Sequence, residues 1–221
     1  MSAEHEQPPH REVGDANAYE GLTREAFIAR AALAAGAVYG AGAVAPVVRE
    51  ALAQEREKLE VGGDINVLNF ALTLALIEHG LFTQSVDRAP LGGRAASLAR
   101  EMASNERTHI RELRSIVGRR GGRPVAPPET DFGTAFSSQA RFLEVAALVI
   151  STTVAALDGA SIEMESKEVL VRIATMNQVE ARQVALVRLL RGEDPAPKAF
   201  EDTLSISQAR DRLADYVPVF G

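Results

Sequence analysis

The sequence predicts an all-α protein: a four-helix bundle with one long crossover, preceded by an Ala/Gly-rich segment and followed by a short C-terminal helix. Three observations lead there. Four stretches repeat apolar residues at i, i+3, i+4 and i+7, the spacing of one helix face. Gly and Pro punctuation gathers them into two pairs. Between the pairs lies an aperiodic connection, Arg119 to about Gly133, which carries Pro124, Pro127 and Pro128. About fifteen residues at roughly 3.3 Å each reach about 50 Å, more than a helix of about 24 residues at about 1.5 Å per residue. Such a connection can return along the whole bundle, which a simple up-down arrangement does not require. The absence of Trp and the 5% aromatic content, with abundant Ala and Leu, favour helices over sheets.

Taken in order, residues 1–22 hold Glu4, Glu6, Glu12, Asp15 and Glu20 against Arg11, a net of -4 out of -6 for the chain. With few apolar groups they read as a disordered acidic tail. Residues 23–58 form a second unit, centred on the eighteen uncharged residues Ala31 to Val48. Arg24 and Arg30 precede that stretch, and the balanced charges of Arg49 to Lys58 follow it. Three placements stay open. As an export signal it offers small-residue sites such as Ala41-Gly42-Ala43, although Glu25 occupies the place of the second arginine in a twin-arginine pattern. As a membrane-associated segment, residues 31–48 are near the minimum length, with Gly36 and Gly40 spaced for close helix contact. As an Ala-rich helix they would pack on the domain or on a second copy, so a homo-oligomer stays open too.

The bundle domain is expected at 64–221. Its first helix runs from Asp64 to before Pro90, with Leu68, Ala71, Leu72, Ala75, His79 and Phe82 on one face. The second runs from near Arg94 to Gly118 and the Gly121-Gly122 pair, presenting Leu98, Met102, Asn105, Glu106, His109, Leu113 and Ile116. The third, Ser138 to Leu157, turns Phe142, Ala146, Val149, Ile150, Thr153 and Leu157 inward. The fourth, Lys167 to Leu190, turns in Ile173, Met176, Asn177, Glu180, Val184, Val187 and Leu190 and stops at Gly192. A last helix is expected from Ser207, as its cap, to Tyr216 before Pro218.

Chemistry concentrates in two matching tetrapeptides 74 residues apart, Glu106-Arg-Thr-His109 and Glu180-Ala-Arg-Gln183. Residues at i and i+3 share a helix face, so a Glu and a His at that spacing can aim together into a bundle core and bind one ion. Gln183 stands where a second His would complete the pair, and a neutral amide oxygen is a poorer ligand for a transition metal. Arg107, Arg111 and Arg182 fall off the inward stripe and belong to solvated faces. Other chemistries find no support. The chain has no Cys, no Walker-type loop, no nucleophile elbow and no dinucleotide fingerprint, and His5 and His10 lie in the acidic tail. Its acidic balance argues against nucleic acid as a partner.

From Asp64 onward the chain resembles the ferritin-like domain proteins of bacteria and fungi that include desiccation-related proteins. Asp64-Ile-Asn-Val-Leu-Asn-Phe-Ala-Leu-Thr-Leu is similar to that family's first-helix opening, Asn105-Glu-Arg-Thr-His-Ile to its second-helix metal motif, and Val179-Glu-Ala-Arg-Gln to its fourth-helix motif. Asp131-Phe-Gly, Pro195-Ala-Pro and Phe200-Glu-Asp-Thr-Leu-Ser are similar to its loop and tail segments. The resemblance implies two metal ions held by one Glu from each of the first and third helices and a Glu-x-x-His from each of the second and fourth.

Carried over residue by residue, it places the first-helix Glu at Ala75, the third-helix Glu at Ile150 and the fourth-helix His at Gln183. A shift of one turn offers Glu78 or His79, of which His79 lies closer to the direction of Ala75. Four carboxylates balance two divalent ions; Glu106 and Glu180 alone balance one. The expectation is therefore a ferritin-like bundle with a partly lost site, non-catalytic or binding a single iron or manganese ion through Glu106, His109, Glu180 and Gln183, with Glu78 or His79. Two alternatives stand beside it. One is a working iron or manganese protein of oxidative or desiccation stress, with di-iron oxidase-type activity. The other is a metal-free polar cluster in which His109, Gln183 and Asn177 donate to the glutamates.

Overall fold

Helix boundaries in this chain follow local chemistry closely. The computed structural model describes residues 63–218, within one unit, Val61–Gly221. The tail expected at 1–22 and the segment expected at 23–58 lie outside the described residues. Among the described residues the helices are α1 Asp64–Arg88, α2 Gly93–Arg119, α3 Gln139–Ala160, α4 Lys167–Leu190 and α5 Ile206–Leu213, with 3-10 turns at Gly133–Phe136 and Ser161–Glu163. α3 and α4 start on Ser138 and Ser166, whose hydroxyls accept from the Arg141 and Val169 amides. α2 and α4 stop in the same way. Gly121 and Gly192 take φ of 79° and 75°, the left-handed region that favours glycine. The next amides, of Gly122 and Glu193, then reach back to the Val117 and Arg188 carbonyls at 2.9 Å.

One cap differs from expectation. α5 begins on Ser205, two residues before Ser207. Ser205 accepts from the Gln208 amide while the Gln208 side chain accepts from the Ser205 amide, at 3.2 and 2.9 Å. Ser207 lacks a Gln or Glu three residues on, so the reciprocal box selects Ser205.

Hydrogen bonds reveal the path of the chain. Asp64, at the start of α1, accepts from Arg120 at the end of α2 and from the Glu165 and Ser166 amides before α4. The crossover then follows α1 from one end to the other. Asn69 holds Arg123 and Val125, Gly80 lies against Thr130 and Phe132, and the Arg88 guanidinium sits over the Phe136 ring at 4.8 Å. So α1 and α4 run one way, α2 and α3 the other, as the long connection requires.

α1 and the stretch Gln139–Glu163 are apolar and long enough to cross a membrane, with mean hydropathy of 1.5 and 1.7, yet 61% of each apolar window is buried within the bundle. They are its central helices, joined for example by the edge-to-face pair Phe82 and Phe142. The inward faces expected of α2, α3 and α4 are buried apart from Asn105 and Leu190, which are half-buried. In α1, His79 departs: it is half-buried while Glu78 is wholly inside.

Candidate metal centre

Glu78, Glu106, Thr153 and Glu180 each fall near the middle of their helix, so the bundle gathers them at mid-height. All are buried, the three carboxylates at 0, 1 and 2% exposure. Carboxylates are almost never buried this fully unless something compensates them.

His109 is the hub. Its Nδ1 lies 3.1 Å from Glu106 Oε2, on its own helix, and 3.0 Å from Glu180 Oε1, across the bundle. Gln183 Nε2 donates to the other Glu106 oxygen at 3.3 Å. The ligand atoms of Glu106, His109 and Glu180 all lie within 4.8 Å of one another, an arrangement that can hold a metal ion. Two donors at right angles on an ion with bonds of about 2.1 Å stand about 3.0 Å apart, so the His109 to carboxylate spacings suit one ion.

Glu78 lies beside this trio. No well-formed hydrogen bond reaches either of its oxygens from the described residues, nor Glu180 Oε2, Gln183 Oε1 or Thr153 Oγ1. Glu180 and Thr153 approach Glu78 closely enough to change its proton affinity through hydrogen bonding, Glu180 raising it and Thr153 lowering it. Buried oxygens left without donors are what a cation would satisfy.

Without an ion, protons take its place. Burial raises Glu78 well above the usual carboxylate range, and the charge of Glu180 adds to this. Burial also raises Glu106, against the hydrogen bond from His109, and lifts Glu180 to about 7. Burial would lower His109, but its hydrogen bonds and charge attraction to Glu106 and Glu180 outweigh that and push it up to about 10. The metal-free cluster therefore holds protons on His109 and Glu78 and, below about pH 7, on Glu180 as well, with the imidazolium set between Glu106 and Glu180.

Of the six residues singled out from the sequence, Glu78, Glu106, His109, Glu180 and Gln183 come together, and His79 does not. The buried arc of α1 runs from Ile77 and Phe70 through Leu81, Val67, Glu78, Ala71, Phe82, Ala75 and Leu68 to Leu72. Glu78 stands near its middle, whereas His79 lies toward one side, between the directions of Leu68 and Leu72 at about 100° per residue, and is only half-buried. Burial and the charge of Arg107 lower His79 from its ordinary value. Asn177 also departs from its expected role as a donor to the glutamates. Its amide donates to Asp158 at 2.8 Å and to the Val154 carbonyl at 3.3 Å. Sequence reasoning missed Thr153 as a polar neighbour of the site. A signal existed: Glu78 precedes Glu106 by 28 residues and Thr153 precedes Glu180 by 27, so both lie one turn beyond Ala75 and Ile150.

A four-helix bundle with one full-length crossover and a mid-height carboxylate and imidazole cluster defines a class of metal-binding folds. The family model described as ferritin-like domain matches residues 63–193, more than half of the chain, and the protein belongs to that family. No curated protein matches the chain.

Proposed function

We propose that this protein binds one iron or manganese ion per chain, at Glu106, His109 and Glu180 with Glu78 as a further carboxylate, and that it does not sustain the two-ion oxidase chemistry of ferritin-like proteins. The observation that carries the reading is the fully buried Glu78 carboxyl, which lies beside the Glu106, His109 and Glu180 trio with Thr153 and Glu180 close to its oxygens. Three carboxylates and a neutral imidazole more than balance one divalent ion and fall short of balancing two. On the α3 and α4 side, where a second ion would need its own anion and nitrogen, Ile150 offers no ligand atom and Thr153 and Gln183 offer only neutral oxygens. A bound iron or manganese ion would supply Lewis acidity and one-electron redox chemistry. The chain's part is to hold the ligands at fixed separation, to exclude water and to release the protons of His109 and Glu78 as the ion enters. The similarity to desiccation-related proteins in Asn105 to Ile110 and Val179 to Gln183 supports oxidative or desiccation stress as the setting.

A second reading has its own observation. His109 and Gln183 already satisfy much of Glu106, so the cluster could fix helix register with no ion. That reading leaves Gln183 Oε1 without a partner among the described residues and needs Glu78 to stay protonated in the core, and it accounts for less.

The full chain, purified without chelator and reconstituted with Fe(II) or Mn(II), separates the two. We expect about one ion per chain by elemental analysis, and close to none in Glu106→Ala. A wild-type chain that stays metal-free after reconstitution contradicts the proposal.

A further inference from the structure

A hollow of about 330 Å³ lies between α3, the C-terminal end of α4 and the segment after α5. Volumes of about 300 to 1,000 Å³ hold small ligands. Its floor is Val145, Ala147 and Leu148, and Arg141, Arg188, Arg191, Glu144 and Tyr216 stand around it. Leu148 and Ser151 leave α3 on the face turned away from Thr153, at about 100° per residue, so the hollow is separate from the metal centre.

Three guanidinium groups line the hollow with one carboxylate, Glu144, while Glu193 and Glu201 reach Arg191 and Arg188 from outside the lining. Their present partners are weak. Arg141 pairs with Glu144 at 2.7 Å and Arg191 with Glu193 at 2.8 Å, all on exposed side chains or at the rim. Arg188 reaches the Pro195 carbonyl at 3.4 Å and Glu201 at 3.9 Å through a single nitrogen. Exposed pairs of this kind are held only weakly. Each guanidinium has five N–H donors, and these contacts engage one nitrogen on each. Arg188 and Arg191 also offset the carbonyl end of the α4 dipole. That accounts for their charge, but not for the hollow between them or for Arg141 on a different helix. The wall they face is fixed: the Tyr216 carbonyl accepts from the Asp131 amide at 2.9 Å, and its ring stacks on Phe132 at 6.2 Å.

We propose that this hollow binds a phosphomonoester with a compact apolar body. At neutral pH such a head carries about -1.5 to -2, which can take the place of the Glu193 and Glu201 carboxylates on Arg191 and Arg188, and guanidinium groups grip phosphate oxygens in pairs. The apolar body covers Leu148 and its neighbours, and the Tyr216 hydroxyl offers a further donor.

The probe is phenyl phosphate, titrated calorimetrically into the full-length chain at constant ionic strength. Saturable binding is expected with a dissociation constant below about 1 mM, weakened at least tenfold in both Arg188→Gln and Arg191→Gln. Arg191 pairs with Glu193 at the rim, so its variant keeps the test valid if Arg188→Gln folds poorly. Benzoate should bind at least several-fold more weakly. No saturation by about 10 mM, unchanged affinity in Arg191→Gln, or benzoate binding as tightly as phenyl phosphate would each overturn the proposal.

Discussion

His109 holds two buried carboxylates apart with one ring nitrogen, so its proton governs the metal-free core. A folded-state pKa raised above the unfolded value means that the folded chain binds the proton more tightly, so stability falls as pH rises between the two values. For His109 that interval runs from 6.5 to about 10, and for Glu180 from 4.5 to about 7. Both act in the same direction. The metal-free chain is expected to be most stable in mild acid and to lose about 5 °C or more of melting temperature between pH 6 and pH 10; thermal melts followed by circular dichroism check this, and a flat profile rejects the imidazolium bridge. Metal binding has the opposite pH dependence, because His109 and Glu78 must release protons, so the stabilisation by Mn(II) should be larger at pH 8 than at pH 6. Glu78→Gln separates ligand from structural group. Its amide imitates a protonated acid, so the metal-free melting temperature should change by less than about 3 °C, while Mn(II) affinity falls at least about tenfold. Equal affinity would remove Glu78 from the site. The inward aim of Glu78 was not legible in the sequence. α1 is apolar around most of its circumference, so its pattern marks no single direction, and the wheel centred on Ala75 and His79 missed the middle of the buried arc.

Elements were far more legible than directions. Pro90, Ser138, Ser166, Gly121 and Gly192 terminate or cap helices by local chemistry, and the observed bounds fall within about three residues of those read from the pattern. The exception, α5, was decided by Gln208, whose role in a reciprocal cap is a three-residue signal present in the sequence. What joins α5 to the bundle was not legible, because it rests on a backbone approach. The Leu204 amide donates to the Ala155 carbonyl at 2.9 Å, and a Cβ at Gly159 would overlap the Leu204 carbonyl. Gly159→Ala is therefore expected to lift the tail from α3, although alanine favours the helix itself. Overpacking of this kind costs about 1 to 3 kcal/mol. Denaturant unfolding measures the loss, and limited proteolysis should then cut between Pro195 and Ser205; unchanged stability and unchanged protease resistance would show that the tail is not held there.

At the scale of the whole molecule, the crossover sets which helices face each other and so which side chains can meet. Because α1 and α4 run parallel and α2 and α3 return, residues far apart in sequence arrive at the same height: Glu78, Glu106, Thr153 and Glu180. The length and Pro content of residues 119–133 announced that topology, and the paired tetrapeptides announced the height of the site. The pairing is unequal in charge. α1 and α2 supply Glu78, Glu106 and His109, whereas α3 and α4 supply Thr153, Glu180 and Gln183, so the negative potential belongs to one half of the core. The central claim is that this half-charged interior retains a single ion. Anomalous scattering from crystals of the full chain grown with Mn(II) tests it most directly: one peak among Glu78, Glu106, His109 and Glu180 is the predicted result, and two fully occupied peaks, or none, would contradict it.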